Sequence, residues 1–235
     1  MVLERIKDGA ERHLFDLDED TRRLAFILCL PLVDGVFATL LVTGAINTFS
    51  DVVSIALTVF TGAGALAVLY SSTDSRQEAK RMVLKAAPLL VMGALLVSLV
   101  APVFEQLFYI ERLRYAAGLA LLTIALHMFD VDYAEKLSVP AIIITGMLLS
   151  IRNPGAMAFS LEYVAPALLT SVTAVMALYA ASFISQERMT LSYIKRGGGI
   201  VLVLIALSQF GVDMPSELNL AVFAVSVVVS LRQSE

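Results

Sequence analysis

The sequence predicts an all-α polytopic membrane protein, a bundle of about eight transmembrane helices. Three observations indicate this fold class: the composition, the long apolar stretches, and the uneven placement of lysine and arginine. Of the 235 residues, 58% are hydrophobic and 16% are charged, and the mean hydropathy is +0.83. A soluble domain has about 45–50% apolar and about 25% charged residues, so the composition argues against a soluble protein.

Eight apolar stretches are candidates for spanning helices, which need about 20 residues with a range of about 17–25. The fifth, seventh and eighth are short, and they are either half-helices or full helices extended by polar end residues. In chain order the eight are Leu24–Ile46, Asp51–Tyr70, Met82–Val103, Leu113–Phe129, Leu137–Ile151, Glu162–Ile184, Gly198–Phe210 and Leu218–Leu231.

Residues 1–23 precede the first apolar stretch and form a polar segment with apolar residues at helical spacing. The pattern favours a short amphipathic helix from Val2 to Phe15 on the cytoplasmic membrane surface. A partly disordered tail is the alternative. A cleaved signal is not expected, because the first apolar stretch is longer than the roughly 7–15 residues of a signal core.

The basic residues support eight spans with both termini in the cytoplasm. With that topology only three of the 17 lysines and arginines fall outside, namely Arg112, Arg114 and Arg152. Cytoplasmic loops of membrane proteins carry this excess of positive charge, and a missed span would destroy the alternation. Seven spans with a re-entrant segment is the second interpretation. The predicted location is therefore the cell membrane.

The chain also aligns with itself at an offset of 109 residues, which places Pro31 on Pro140. The dipeptide 69–70 falls on 178–179, and 77–78 falls on 186–187, each with identical residues. We therefore expect two four-helix halves, residues 24–130 and 134–231. Because four is even, both halves enter the membrane from the same side, as in a parallel repeat.

Asp34 is the most unusual residue, because it is an acid within an otherwise uncharged apolar stretch. Such a residue costs about 2.5–3.5 kcal/mol on insertion scales and is a functional candidate by default. Pro31 removes a backbone hydrogen bond, and Gly35 permits local unwinding. Two hypotheses stay open: Asp34 binds a small cation or proton, or it hydrogen-bonds a neighbouring helix and holds the bundle together.

Further candidate site residues lie at other positions of the predicted spans. Thr39 lies beyond Asp34, where its hydroxyl could line a polar path. Lys85, His127 and Asp130 lie near the cytoplasmic side and predict a polar vestibule leading to Asp34. The alternative is that Lys85 extends to the headgroups and that His127 is interfacial. Asn153 begins a turn in the second half.

Two glycine-rich runs have simpler interpretations. The run from Gly62 to Ala65 is typical of close helix packing. Gly197, Gly198 and Gly199 follow two basic residues. They predict either a flexible elbow or a backbone cradle for a phosphate headgroup.

The run from Leu30 to Phe37, which reads Leu-Pro-Leu-Val-Asp-Gly-Val-Phe, resembles a family of uncharacterised euryarchaeal multi-pass membrane proteins. The stretch Thr43-Gly44-Ala45-Ile46 after it belongs to the same resemblance, which implies an archaeal membrane and no established activity. That family has a polar-Pro-Ser-Gly turn where this chain has Asn153-Pro154-Gly155, so the serine is missing. The chain is also faintly similar to the lysine-exporter superfamily, whose three-helix inverted repeats disagree with two four-helix halves.

These features favour a secondary transporter or channel for a small ion or solute, with Asp34 as the coupling or binding group. The alternative is a non-transporting scaffold that organises lipids or partner proteins, with Asp34 as a hydrogen bonder between helices. An enzyme is third, since the sequence has no hydrolase or nucleotide-binding motif. The expected partner is the lipid bilayer, and a homo-oligomer is possible. No nucleic acid, cofactor or metal is expected.

Overall fold

A computed structural model describes residues 17–152, 161–184 and 191–232. Within these ranges the chain is α-helical and has no β-strand, only an isolated bridge between Phe108 and Ile151. The predicted Val2–Phe15 helix and Asn153 lie outside the described residues. The ten described α-helices are α1 Glu19–Val33, α2 Val36–Val42, α3 Phe49–Ile55, α4 Ala63–Ser71, α5 Arg76–Leu107, α6 Ile110–Met128, α7 Val139–Ser150, α8 Val164–Ala181, α9 Leu191–Gln209 and α10 Ser216–Arg232.

Three described helices are long and apolar enough to cross a membrane: α5, α8 and α9. Two bent pairs, α1 with α2 and α3 with α4, raise this number to five if each pair is one span. The helices α7 and α10 are apolar but shorter. The described residues thus form a helical, membrane-associated protein. The predicted seventh stretch, which looked short, is part of the 19-residue helix α9.

The first predicted span is broken at the position where the sequence indicated unwinding. Helix α1 ends at Val33, Asp34 follows it, and Gly35 has a φ of 81°. The left-handed region is open to glycine but costs about 1–2 kcal/mol for most L-residues. The axes of α1 and α2 are bent by 45° at this point.

The second predicted span, Asp51–Tyr70, is also broken, which the sequence did not predict. Thr48 and Asp51 cap the start of α3 with a reciprocal capping box. A π-helical turn from Ala56 to Phe60 then leads to Gly62 and α4, with a bend of 54°. Such turns are rare and occur often at functional sites.

The remaining helices pack around these two broken helices. Helix α5 packs against α1 and α8, α6 packs between α7 and α9, and α10 packs against α9 and α3. Small residues allow close approach at these crossings. A Cβ atom added at Gly146 would lie 2.1 Å from the Cβ of Ala116, and one added at Gly197 would lie 1.9 Å from Oγ of Ser226.

The structure corrects the interpretation of Gly197, Gly198 and Gly199. These residues are buried inside α9 and contact α6, α10 and the residues after α6. They are neither an elbow nor a headgroup cradle, because no helix begins there and their backbone is covered. Close packing also occurs in the Gly62–Ala65 run, where Ala65 is buried and a Cβ atom added at Gly62 would lie 3.2 Å from Cε of Met128 on α6.

Long-range polar contacts at the helix ends define two opposite faces of the bundle. The end of the bundle at which α1 begins and α4 ends is called the first face. There Lys85 pairs with Asp18, Lys195 pairs with Asp130, and the Tyr70 hydroxyl donates to the Ala181 carbonyl 2.9 Å away. All of these residues were predicted to lie on or near the cytoplasmic side.

The second face is the end at which α2 ends and α3 begins. Arg114 donates to the Thr43 carbonyl at 3.1 Å, and the Tyr163 hydroxyl donates to Glu105 at 2.9 Å. Arg112 donates to the Leu149 carbonyl at 3.1 Å. A cation beside the last carbonyls of a helix stabilises the helix end. All of these contacts join residues that were predicted to lie on the outer side of the membrane.

Candidate functional site

A cavity of about 440 Å³ lies between the two helix breaks, and we call it the break cavity. The first break contributes Pro31, Asp34 and Val36 to its wall, and the second contributes Thr58, Val59, Phe60, Gly62, Gly64 and Ala65. The end of α6 and the start of α7 complete the wall with Ile124, His127, Met128, Leu137, Ser138, Val139 and Pro140. Both prolines of the predicted repeat, Pro31 and Pro140, therefore line the same space.

Asp34 occupies the break itself and is partly buried. Its Oδ1 accepts a hydrogen bond from the backbone N–H of Val36 at 3.0 Å. This is the local turn that aspartate forms with the backbone two residues on, and it satisfies one free donor at the start of α2. No other hydrogen bond to the carboxylate forms within the described ranges.

Gly35 follows Asp34 and brings α2 close to α7. A Cβ atom at Gly35 would lie 3.2 Å from Cγ2 of Ile143 and 3.4 Å from Cε of Met147. Ile143 is the repeat mate of Asp34, and it is fully buried. Apolar side chains of α7 therefore pack directly against the break between α1 and α2.

Thr39 does not line the break cavity. It is fully buried in α2, and its hydroxyl donates to the Gly35 carbonyl at 2.8 Å. Thr43 repeats this pattern one turn later, with a donation to the Thr39 carbonyl at 2.8 Å. These hydroxyls therefore bond their own helix and do not form the predicted polar path.

His127 is the penultimate residue of α6 and is exposed at the first-face end of the cavity. Its Nδ1 lies 2.8 Å from the Thr123 carbonyl. A carbonyl only accepts, so Nδ1 is the donor in this contact and Nε2 is left for other partners.

Lys85 and Asp130 do not join His127 at the cavity, so the structure does not assemble the predicted three-residue vestibule. The Lys85 ammonium lies 2.8 Å from Oδ1 of Asp18, and Lys195 pairs with Asp130. The hydrogen bonds from Lys85 and Thr21 lower the pKa of Asp18 from 3.8 to about 2. Both basic side chains are therefore committed to acids at the first face.

Thr58, Ser138 and Pro140 line the cavity and were not among the predicted site residues. The Thr58 hydroxyl donates to the Ser54 carbonyl at 2.6 Å. Ser138 caps α7 by accepting from the Ala141 N–H at 3.4 Å. Pro140 had a sequence signal, its alignment with Pro31, whereas Thr58 had none beyond its hydroxyl.

The described residues contain no group of three or more histidine, cysteine, aspartate or glutamate side chains that could hold a metal ion. The cavity wall instead combines one carboxylate and one imidazole with two hydroxyls and many apolar side chains. Such a surface can bind a small molecule in the way of a typical ligand pocket, which is mostly apolar with few polar groups.

The model of a family of unknown function (DUF5794) matches residues 90–210. This segment includes α6, α7, α8 and α9, and hence the His127 and Pro140 side of the cavity. No curated protein and no solved structure matches the chain.

Proposed function

The chain belongs to this family of unknown function (DUF5794), and we propose that it is a secondary transporter or channel for a small ion or solute. Asp34 is the binding or coupling group in this proposal. Pro31, Gly35 and His127 shape its surroundings. The bilayer is its partner, and a homo-oligomer is compatible with this role.

The observation that carries the proposal is the position of Asp34 in a cavity between two broken helices. Irregular backbone at membrane depth is tolerated only where it is buried in protein or lines a cavity. Transporters often bind substrates and ions at such discontinuous helices. Here both breaks, at Asp34 and at the π-helical turn, contribute to the wall of one cavity.

For the membrane arrangement we propose eight spans in two four-helix halves, with both termini in the cytoplasm. In this proposal the two bent pairs each form one span, and α6, α7 and α10 are further spans. The polar contacts at the two faces support it, because each joins helix ends that the eight-span topology places on one side.

The test is ion flux into liposomes that contain the purified protein. Proton, sodium and potassium fluxes are measured for wild type and for Asp34→Asn, which keeps an oxygen acceptor for the Val36 N–H. Asp213→Asn is the control, since Asp213 lies exposed between α9 and α10. We expect at least a tenfold loss of flux in Asp34→Asn alone. Wild-type flux equal to that of empty liposomes, or unchanged flux in Asp34→Asn, would overturn the proposal for these ions.

The second candidate function is a non-transporting scaffold in which Asp34 holds two helix segments together. The hydrogen bond from the Val36 N–H to Asp34 favours it, because this contact stabilises the break without any bound ligand. A scaffold predicts no flux for any variant, together with a loss of stability in Asp34→Ala. Flux that depends on Asp34 would exclude it as the main function.

A further inference from the structure

The charge on the wall of the break cavity is unbalanced. Among the described residues that line it, Asp34 is the only carboxylate, and none is a lysine or an arginine. Lys85 and Lys195 are paired with Asp18 and Asp130. A carboxylate removed from water needs a counter-charge or a proton, so the cavity with an ionised Asp34 favours a cation over an anion.

The wall offers few oxygen ligands for a bare metal ion. One carboxylate oxygen of Asp34 accepts from the Val36 N–H, and Ser138 Oγ accepts from the Ala141 N–H. A hard cation such as Ca²⁺ takes about six to eight oxygen ligands, and Mg²⁺ needs a near-ideal octahedron. The side-chain oxygens on this wall cannot supply such a shell by themselves.

The size and the apolar character of the wall instead match an organic ion. A volume of about 440 Å³ lies within the roughly 300–1,000 Å³ of small-molecule pockets. Side chains such as Ile27, Val59, Phe60 and Ile124 would cover apolar substituents. Leu30 and Leu137 also line the cavity and are 46% and 45% exposed, so the exposed part of the wall includes apolar side chains as well.

We propose that the break cavity binds a lipophilic monovalent organic cation, of the alkylammonium class, with Asp34 as its counter-ion. This inference rests on the proposed function, because it names the substrate class of the same site. The cation's charge compensates Asp34, and its alkyl groups displace water from the apolar wall.

Binding to the purified protein in a neutral detergent tests the proposal by calorimetry. The probes are tetramethyl-, tetraethyl- and tetrabutylammonium chloride, with sodium chloride as the inorganic comparison. Burial of apolar groups predicts that affinity rises with chain length, by up to about fourfold for each methylene group that is buried. Asp34→Asn should weaken tetrabutylammonium binding at least tenfold, and Asp213→Asn should leave it unchanged.

A second pair of variants tests whether the cation lies in the cavity. A Cβ atom at Gly64 would meet only Cγ2 of Ile27, at 4.0 Å. Gly64 lines the cavity and its Cβ position has no backbone neighbour, so we expect the larger side chain of Gly64→Leu to occupy cavity space and weaken tetrabutylammonium binding at least tenfold. Gly64→Ala should change the affinity less than threefold.

The outcomes separate this inference from the proposed function. Equal binding by wild type and Asp34→Asn, or sodium binding that is tighter than tetrabutylammonium binding, would overturn the organic-cation inference. Proton or sodium flux that depends on Asp34 would then leave the proposed function standing. Specific tetrabutylammonium binding without movement of any cation in liposomes would support the inference and contradict transport.

Discussion

Asp34 accepts a hydrogen bond from the backbone N–H of Val36 across the break between α1 and α2, at a distance of 3.0 Å. The same side chain lines the break cavity. Asp34 thus has a structural contact on one side and an open cavity on the other. The two roles can be separated by substitution, because the first needs only an oxygen acceptor and the second needs a negative charge.

Asp34→Ala should lower the free energy of unfolding by about 0.5–1.5 kcal/mol, because it removes the acceptor of the Val36 N–H hydrogen bond. Asp34→Asn keeps an acceptor for the Val36 N–H and should change stability by less than about 0.5 kcal/mol. The measurement is reversible unfolding in mixed detergent micelles. Equal destabilisation by both variants would mean that the charge itself, and not the hydrogen bond from Val36, stabilises the break.

Gly62→Ala should destabilise the protein by about 1–3 kcal/mol, the typical cost of forcing extra atoms into a packed site. The added Cβ atom would lie 2.6 Å from the carbonyl oxygen of Thr58, a backbone atom that cannot rotate away. Gly64→Ala is the matched control, since its Cβ atom has no neighbour closer than 4.0 Å. It should be neutral or stabilising by about 0.5–1 kcal/mol. Similar effects of both variants on unfolding would contradict the close contact at the π-helical turn.

Gly146→Ala should separate α6 from α7, because its Cβ atom would lie 2.1 Å from that of Ala116. We expect a loss of about 1–3 kcal/mol for a methyl group without space. Ala116→Gly in the same chain removes the clashing methyl and should restore most of the stability. The unfolding of both single variants and the double variant forms a thermodynamic cycle. Strictly additive effects would show that the two positions are not in contact.

The pair between Asp18 and Lys85 should make stability depend on pH at acidic values. The Lys85 and Thr21 hydrogen bonds lower the pKa of Asp18 from 3.8 to about 2. A depressed pKa gives stability that is present above about pH 3.8 and is lost as the pH falls through about 2. The pair is exposed, so we expect a contribution below about 1 kcal/mol. The check is the difference in thermal unfolding between wild type and Asp18→Asn, which should shrink between pH 5 and pH 2; a constant difference would contradict it.

The first break could be predicted from the sequence because three local signals coincide within five residues. Pro31, Asp34 and Gly35 each act on their own backbone, so no distant contact is needed. The second break could not be predicted in this way. Its glycines also suit helix packing, and a π-helical turn in a uniformly apolar segment leaves no periodic signal.

The ion-pair partners of the charged residues also could not be predicted from the local sequence. Lys85 and Asp18 are 67 positions apart, and Lys195 and Asp130 are 65 apart. The placement of charge along the chain predicts a shared side for such residues, but it does not predict which of them meet. For this reason Lys85 and Asp130 were expected at the cavity, whereas only His127 reaches it.

The close approach of Ala116 and Gly146 has an evolutionary consequence. Both residues lie in the segment 90–210 that matches the family model, and the space between them holds only one methyl group. Among members of this family the two positions should therefore vary together, with glycine always present at one of them. Because α7 already carries glycine here, a methyl group can be gained on α7 only after the one at position 116 on α6 is lost, so the order of substitutions along this crossing is constrained.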